Sequence, residues 1–284
     1  MNNEPNLKKK THIIKTSITN IEPNKIVSRG YSQEELIANI SFSEMVYLLL
    51  KGELPSPNEA RMLNYILVSF CDHGVTPPST QTSRLIASSG ASINTALAGG
   101  ILSFGKKHAG AIEDSMELFQ NTISGRIKSM ADESTDENIS TSDLLDDETI
   151  ENIANTIVDN YLTNNEKIPG FGHRFHSKDP RGAKIMELAK EERCIGPHSR
   201  LALAIEKILA EKKNIYINVD GANGSVLLDM GFSSSLGLGI FMIGRLPGLL
   251  AHINEEITEE EEFRKFCHIE DIVYCGIENE SLEE

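Results

Sequence analysis

The chain has 284 residues, of which 39% are hydrophobic, and it carries a formal net charge of −15. This length suffices for one large domain with a second, smaller lobe. The acidic charge argues against nucleic acid as a partner, because phosphate binding needs a basic face. The four cysteines form no C-x-x-C pair, so they indicate free thiols in a reducing compartment and give no support to a metal site. They are Cys71, Cys194, Cys267 and Cys275.

The polar start of the chain and the charge within its most apolar segment predict a cytoplasmic protein with no membrane contact. Residues 1–10 are predicted to be disordered and lack the apolar centre of a signal peptide. The most apolar segment, Leu236–Ile253, contains Arg245, which argues against a membrane span.

The N-terminal part of the chain predicts a short β-hairpin followed by two capped helices. Residues 16–30 alternate and contain turn residues, which is typical of a hairpin. The pattern Ser-x-x-Glu occurs at residues 32–35 and 41–44, and each copy predicts the start of a helix. The second of these helices is expected to include Met45–Lys51.

Helical spacing of apolar residues dominates the rest of the chain and predicts a mainly α fold. Gly52 and the prolines after it are expected to end the second helix, and another helix is expected to begin near Asn58. The clearest helix covers His198–Lys213, in which four apolar residues share one face. They are Leu201, Ile205, Ile208 and Leu209.

Two acidic stretches are predicted to face solvent. Residues 131–151 are rich in acidic, Ser and Thr residues and poor in apolar ones, which is typical of a flexible surface loop or insertion. Residues 255–262 form a second acidic run and are predicted to be a solvated face.

Two histidines stand beside small residues that let a ligand approach the backbone. The ring N–H of His108, within Gly105–Ala111, could hold an enol or enolate oxygen, although a polar loop histidine is the simpler interpretation of this residue alone. His173 follows the turn Pro169–Gly172, whose glycines leave backbone amides accessible to a phosphate or an adenine edge. An ordinary glycine-rich turn is the alternative.

Further along the chain, one arginine and one aspartate add the charges that an anionic substrate and a proton transfer need. Asp179-Pro180 predicts a helix start, and Arg181 could form a bidentate contact with a carboxylate. Asp220 ends an apolar run, so its pKa could be raised and it could act as a base. It could also cap a helix over residues 222–230.

Three more polar residues are candidates for substrate binding or for structure. His73 could bind substrate or simply occupy a polar turn. Arg84 and Arg245 lie in helical segments, and Arg245 needs a partner because its surroundings are apolar. His252 lies on the same helical face as Arg245 and is predicted to be structural.

In combination, these motifs resemble the citrate synthase superfamily over nearly the whole chain, from about Thr16 to Tyr274. The motifs that carry the resemblance occur in the family's order. They are Asp72-His73-Gly74, Gly105-x-x-His108, Gly170-Phe171-Gly172-His173 with Asp179-Pro180-Arg181, Asn218-Val219-Asp220, and Gly244-Arg245 with His252.

The resemblance implies an almost all-α fold whose two domains close over the substrates. The large domain would comprise residues 1–112 and 224–284, and the small domain residues 113–223. Three residues would be catalytic: His108 would stabilise the enol of acetyl-CoA, Asp220 would remove the methyl proton, and His173 would bond the reacting oxygen. Four others would bind carboxylates, namely His73, Arg181, Arg245 and, supplied to the other subunit, Arg264. The coenzyme is predicted to contact Gly170, Phe171, Gly172 and Arg174.

The chain departs from full-length citrate synthases in one segment. Only sixteen residues separate Gly52-Glu53-Leu54-Pro55 from Asp72, and this short form resembles citryl-CoA lyases and the lyase module of ATP-citrate lyase. No G-x-x-x-x-G-K-[ST] loop occurs, so the chain is not expected to activate citrate itself. His108 is kept, as in synthases, which leaves the synthase interpretation open.

The resulting hypothesis is a citryl-CoA lyase in which His173 accepts the hydroxyl proton while His108 holds the enolate. A citrate or 2-methylcitrate synthase is the first alternative, and a non-catalytic subunit that binds coenzyme A or citrate is the second. No permanently bound cofactor is expected, since the coenzyme A thioester is a substrate alongside oxaloacetate. The resemblance implies a homodimer or higher homo-oligomer, and it leaves open a separate citryl-CoA synthetase as a partner.

Overall fold

A computed structural model describes residues 14–133, 145–265, 267–277 and 280–281. These residues contain eleven α-helices and one three-stranded sheet, which confirms the mainly α fold. They divide into two compact units, Met1–Asn64 and Tyr65–Glu284. The predicted disordered segment 1–10 lies outside the described residues, and the predicted domain boundaries at residues 113 and 223 stay a prediction.

The first unit contains the predicted hairpin and its two capped helices. Strands β1 (Thr19–Glu22) and β2 (Lys25–Ser28) pair antiparallel, with Glu22 opposite Lys25 across the turn. A third strand that the sequence pattern did not predict, β3 (Tyr31–Ser32), continues the sheet beside β2.

Helices α1 (Gln33–Asn39) and α2 (Phe42–Lys51) begin at the two Ser-x-x-Glu patterns. Ser41 forms the full capping box with Glu44, and Gly52 ends α2 in the left-handed conformation at φ 87°.

Nine further α-helices follow α2 in the described residues. They are α3 (Pro57–Phe70), α4 (Pro78–Ser88), α5 (Ile93–Leu102), α6 (Ala111–Glu133), α7 (Asp147–Thr163), α8 (Pro180–Glu191), α9 (Pro197–Lys213), α10 (Val219–Asp229) and α11 (Gly237–Glu259).

The centre of the second unit is α10, most of whose residues are buried, and α6, α8 and α9 pack around it. The predicted apolar face of α9 is buried as expected, since Leu201, Ile205, Ile208 and Leu209 are at most 9% exposed.

The prediction of an acidic loop over residues 131–151 is wrong at both ends of that range, where the structure has helices. Helix α6 continues to Glu133, and α7 begins at Asp147. The carboxylate of Asp146 accepts the N–H of Thr149, so an acidic residue in this stretch caps a helix. Residues 134–144 lie outside the described part of the chain.

Helix α11 forms part of the core of the second unit. Together with the short turn before it, it is long and apolar enough to cross a membrane, with a mean hydropathy of 1.6. Nine of its residues are buried in the protein, however, and a core helix passes the same length test. A side chain at Gly248 would overlap the carbonyl of Cys71. Gly248 therefore allows α11 to lie directly against the end of α3.

Candidate active site

All three predicted catalytic residues and three of the four predicted substrate-binding residues line a single pocket in the second unit, with a volume of about 400 Å³. They come from the loops before α4 and α6, from the turn before α8, and from α8, α10 and α11. They are His73, His108, His173, Arg181, Asp220 and Arg245.

Asp220 lies in the first turn of α10 and faces the pocket. Asn218 caps this helix, since its side-chain oxygen accepts the N–H groups of Asp220 at 2.9 Å and Gly221 at 3.1 Å. The alternative interpretation of Asp220 as the cap is therefore wrong, and its carboxylate is left for other chemistry. Its Oδ1 is buried and has no hydrogen-bond partner among the described residues.

Burial raises the pKa of Asp220 to about 6, against the smaller opposing effects of Arg181 and Arg245. The predicted raised pKa is thus present in the structure. A carboxyl group with this pKa exchanges its proton readily near neutral pH, which suits a general acid or base.

The turn that carries His173 is held tightly to the start of α10. Gly170 has a φ of +84°, and a side chain there would come within 2.6 Å of the Cα of Gly221. The carbonyl of Gly170 accepts the N–H of Asn218 at 3.0 Å, and the Asn218 side chain donates to the carbonyl of Gly172 at 2.8 Å. These contacts fix the turn before His173 relative to the turn that carries Asp220.

The hydrogen bonds of His173 define which ring nitrogen carries its proton. Its Nδ1 accepts the backbone N–H groups of Phe175 at 3.1 Å and His176 at 3.2 Å. A nitrogen that accepts a backbone N–H is unprotonated, so the neutral ring carries its proton on Nε2. Burial lowers the pKa of His173, which favours that neutral form. His173 is therefore arranged to donate a hydrogen bond, and the expectation that it accepts the hydroxyl proton does not fit this geometry.

His108 is held in the opposite tautomer. Its Nε2 accepts the backbone N–H of Ser79 at 3.3 Å and lies 2.8 Å from the Ser79 hydroxyl, at the start of α4. The proton of the neutral ring is therefore on Nδ1. Burial and, to a smaller extent, the charge of Arg245 lower the pKa of His108, so this ring is also a neutral donor.

His73 lies next to His173, with the two ring centroids 5.4 Å apart and the rings edge to face. Burial is the main cause of its lowered pKa, and the charge of Arg181 adds to it. The loop before it is anchored by Asp72, whose Oδ1 lies 3.0 Å from Nε2 of His252. His252 thus has the structural place predicted for it.

The two pocket arginines differ in their partners. Arg181 is bonded twice to the carboxylate of Asp179, at 3.1 and 3.0 Å. Arg245 is 3% exposed, donates Nε–H to the carbonyl of Phe70 at 2.6 Å, and lies 4.9 Å from the ring centroid of Phe241. Within the described ranges it has no carboxylate partner, so the pocket retains a buried positive charge for an anion.

The predicted coenzyme-binding residues separate into two groups. Gly172 and Arg174 line the pocket, whereas Gly170 packs on α10 and Phe171 stacks edge to face on Phe119. Two cations that the sequence interpretation missed, Lys106 and Lys107, also line the pocket. Their position directly before His108 was the available signal.

Arg264 lies outside this pocket and is paired within its own chain. It bonds Glu256 at 2.6 and 2.7 Å and Glu260 at 3.1 Å. Its role in the site of another subunit stays a prediction. No group of three or more potential metal ligands occurs in the part of the chain that the structure describes.

Comparison with known sequences confirms the resemblance. A family model described as citrate synthase, C-terminal domain, matches residues 7–62 and 55–266. The citrate synthase of Heyndrickxia coagulans is 29% identical over 274 residues, which are 92% of this chain and 65% of that protein. The glyoxysomal citrate synthase of Cucurbita maxima is 30% identical over 239 residues, or 79% and 41% of the two chains. The chain thus spans 41–65% of the length of these two relatives.

Solved structures add a relative of similar length. The citryl-CoA lyase from Hydrogenobacter thermophilus is 37% identical, with a TM-score of 0.80, over 96% of this chain and 98% of the lyase. The ATP citrate lyase from Methanothrix soehngenii, solved in complex with citrate and coenzyme A, has a TM-score of 0.73 and 20% identity over 95% and 42% of the two chains. The second likeness shows the fold alone.

Proposed function

The chain belongs to the citrate synthase family, and on that premise we propose that it cleaves citryl-CoA to acetyl-CoA and oxaloacetate. The observation that carries this proposal is the end-to-end likeness to a citryl-CoA lyase at 37% identity. The pocket supports it with a carboxyl group whose pKa is about 6, with neutral imidazoles that donate hydrogen bonds, and with a buried guanidinium. Together these groups suit the breaking of a carbon–carbon bond next to carboxylates.

Cleavage breaks the bond between the thioester methylene and the carbon that bears the hydroxyl group. The hydroxyl oxygen becomes the keto oxygen of oxaloacetate, and the bonding electrons form the enolate of acetyl-CoA. Protonated Asp220 then delivers its proton to the methylene carbon, which becomes the methyl group of acetyl-CoA. Its pKa of about 6 keeps part of this group protonated near neutral pH.

The imidazoles stabilise the oxygens on which charge changes. His108, with its proton on Nδ1, donates to the enolate oxygen, and His173, with its proton on Nε2, donates to the departing keto oxygen. The hydroxyl proton needs a neutral acceptor beside that oxygen. His73, for which the resemblance implied carboxylate binding, has a lowered pKa and lies against His173, so we assign it this role instead.

The arginines bind the carboxylates of the substrate. Arg245 offers a guanidinium without a carboxylate partner in the described residues, and Arg181 offers a second guanidinium that lines the same pocket. At the mouth of the pocket, Lys106, Lys107 and Arg174 supply further positive charge for the coenzyme, which takes part as a thioester substrate.

Condensation of an acyl-CoA with oxaloacetate, as in a citrate or 2-methylcitrate synthase, is the alternative. The observation that favours it is the likeness to citrate synthases at 29–30% identity. The same residues would act in reverse, and hydrolysis of bound citryl-CoA would complete the reaction. A binding subunit without catalysis is the lesser alternative.

Two assays on the purified protein separate these functions. One supplies citryl-CoA and couples released oxaloacetate to oxidation of NADH; the other supplies acetyl-CoA and oxaloacetate and follows free thiol. Oxaloacetate without thiol release supports the lyase, whereas sustained thiol release from acetyl-CoA supports the synthase. Inactivity in both assays, together with tight binding of coenzyme A, would leave the binding subunit.

A further inference from the structure

Asp179 is a buried carboxylate to which neither the family motifs nor the proposed chemistry assigns a role beyond starting α8. It is 2% exposed. A buried carboxylate has to be hydrogen-bonded or paired, so its partners indicate what it does.

Both oxygens of Asp179 are used, and they join two helices. Oδ1 accepts from the backbone N–H of Arg181 at 3.0 Å and from its Nε at 3.1 Å. Oδ2 accepts from Nη2 of Arg181 at 3.0 Å and from the backbone N–H of Val219 at 3.1 Å. Val219 directly precedes Asp220, so one carboxylate holds both the pocket arginine and the start of the helix that carries the acid.

We propose that Asp179 is a positioning residue of the active site, which orients Arg181 toward a substrate carboxylate and fixes the start of the helix that carries Asp220. The identity of that substrate rests on the proposed function, whereas the contacts of Asp179 do not. A simple helix cap would explain only the bond to the N–H of Arg181. The two bonds to its guanidinium and the bond to Val219 are additional.

The charge of Asp179 acts on Asp220 as well. The groups that face Asp220 are Arg181 from α8 and Arg245 from α11, which lower its pKa, and Asp179, which raises it. The other titratable groups near the start of α10 are the pocket imidazoles and Glu206 of α9, which accepts the N–H of Ile217. Removing the charge of Asp179 therefore lowers the pKa of Asp220.

Asp179→Asn tests this role, because Asn caps helices as well as Asp and differs little in size. The matched control is Asp229→Asn. The side chain of Asp229 is 3% exposed, and it bonds the N–H groups of Gly196, His198 and Ser199 at the start of α9, outside the pocket. Each variant is measured by carbon-13 NMR titration of aspartate carboxyls, with the Asp220 signal assigned from its absence in Asp220→Asn, and by KM and kcat for citryl-CoA.

We expect Asp179→Asn to move the Asp220 titration to lower pH, because a nearby negative charge is lost. We also expect it to raise KM about tenfold, because the Arg181 guanidinium loses the carboxylate that holds it in place. Asp229→Asn should change neither quantity. A folded Asp179→Asn protein with an unchanged Asp220 titration and a KM within twofold of the parent would overturn the proposal.

The two readouts also separate this inference from the proposed function. If the parent protein turns over neither citryl-CoA nor acetyl-CoA with oxaloacetate, the proposed function fails, while the NMR titration still decides the role of Asp179. If Asp179→Asn does not fold, Asp179→Ser, which retains a capping side chain, is judged by the same two criteria.

Discussion

Two clusters of charge in the second unit, each with buried members, are built differently. The outer network, defined as Arg84, Glu255, Glu256, Glu260 and Arg264, pairs each of its charges. Arg84 bonds Glu256 at 2.7 Å, Glu260 at 3.0 Å and also Glu255, while Arg264 bonds Glu256 twice. The pocket instead holds Arg245 without a carboxylate partner, and Asp220 with an unbonded Oδ1, among the described residues.

This difference indicates that the outer network stabilises the fold, whereas the pocket serves binding and catalysis. Paired buried charges hold elements together, and breaking such a pair is costly. A charge that is buried without a partner is retained at a cost to stability, and such groups concentrate where a ligand or a reaction will use them. The outer network therefore joins α4, α11 and the C-terminal segment, whereas the pocket keeps the guanidinium of Arg245 available to bind an anion.

Replacing the pocket acid should have the largest effect. Asp220→Asn should lower kcat for citryl-CoA by about a thousandfold, because general acid–base catalysis by one side chain typically contributes on the order of 10²–10⁴. Calorimetry should show coenzyme A binding unchanged, with Asp229→Asn as the control for a buried aspartate outside the pocket. Turnover near the parent rate would remove Asp220 from the reaction.

Breaking the outer network should act on stability instead. Arg84→Met should lower the free energy of unfolding by about 3 kcal/mol, because Glu256 loses an ion-pair partner while its side chain stays fully buried. Urea unfolding measures this change. At temperatures where the variant is folded, its kcat/KM should stay within threefold of the parent value. A stable but inactive Arg84→Met protein would contradict the division into scaffold and site.

The same substitution in the pocket should give the reverse result. Arg245→Met should raise KM for citryl-CoA about a hundredfold, since a buried charge–charge contact with a carboxylate is lost. Its free energy of unfolding should stay equal to that of the parent or rise, because a buried cation without a carboxylate partner is removed. Full activity with reduced stability would show that Arg245 belongs to the scaffold.

The smallest expected effect is a pH-dependent difference in the free energy of unfolding between Asp220→Asn and the parent. The pKa of Asp220 is raised from 3.8 to about 6 in the folded protein. Its protonated form therefore stabilises the fold below about pH 4, and this contribution is lost as the pH rises through 6. Asp220→Asn stays neutral, so it should be more stable than the parent at pH 8 by roughly 2–3 kcal/mol and nearly equal to it near pH 4. Urea unfolding at both pH values measures this, and a difference independent of pH would contradict the raised pKa.

Local sequence signals predicted much of the helical framework. The Ser41 capping box, the stop at Gly52 and the apolar face of α9 depend on residues only a few positions apart, and all three are present. Asp220 was a candidate cap of the following helix, but Asn218 caps α10. Both residue types cap helices well, so residue type alone does not show which position is the cap.

Ion pairs between side chains far apart in sequence were not predictable. The acidic run at residues 255–262 was expected to be a solvated face, yet the Glu256 side chain is fully buried against Arg84, which is 172 residues away in sequence. Arg84 and Arg245 are both helical arginines, and the fold shows which of them has carboxylate partners. The motifs predicted six residues that meet in the pocket, but the tautomers of His108 and His173 follow from backbone N–H groups whose positions the fold determines.

The most direct test of the proposed chemistry is cleavage of citryl-CoA in deuterium oxide, with the products analysed by mass spectrometry. We predict oxaloacetate together with acetyl-CoA that carries one deuterium in its methyl group, delivered by Asp220 after exchange with solvent, and almost none of either product from Asp220→Asn. Formation of only citrate and free coenzyme A, or equal yields of labelled acetyl-CoA from the parent and Asp220→Asn proteins, would contradict the account.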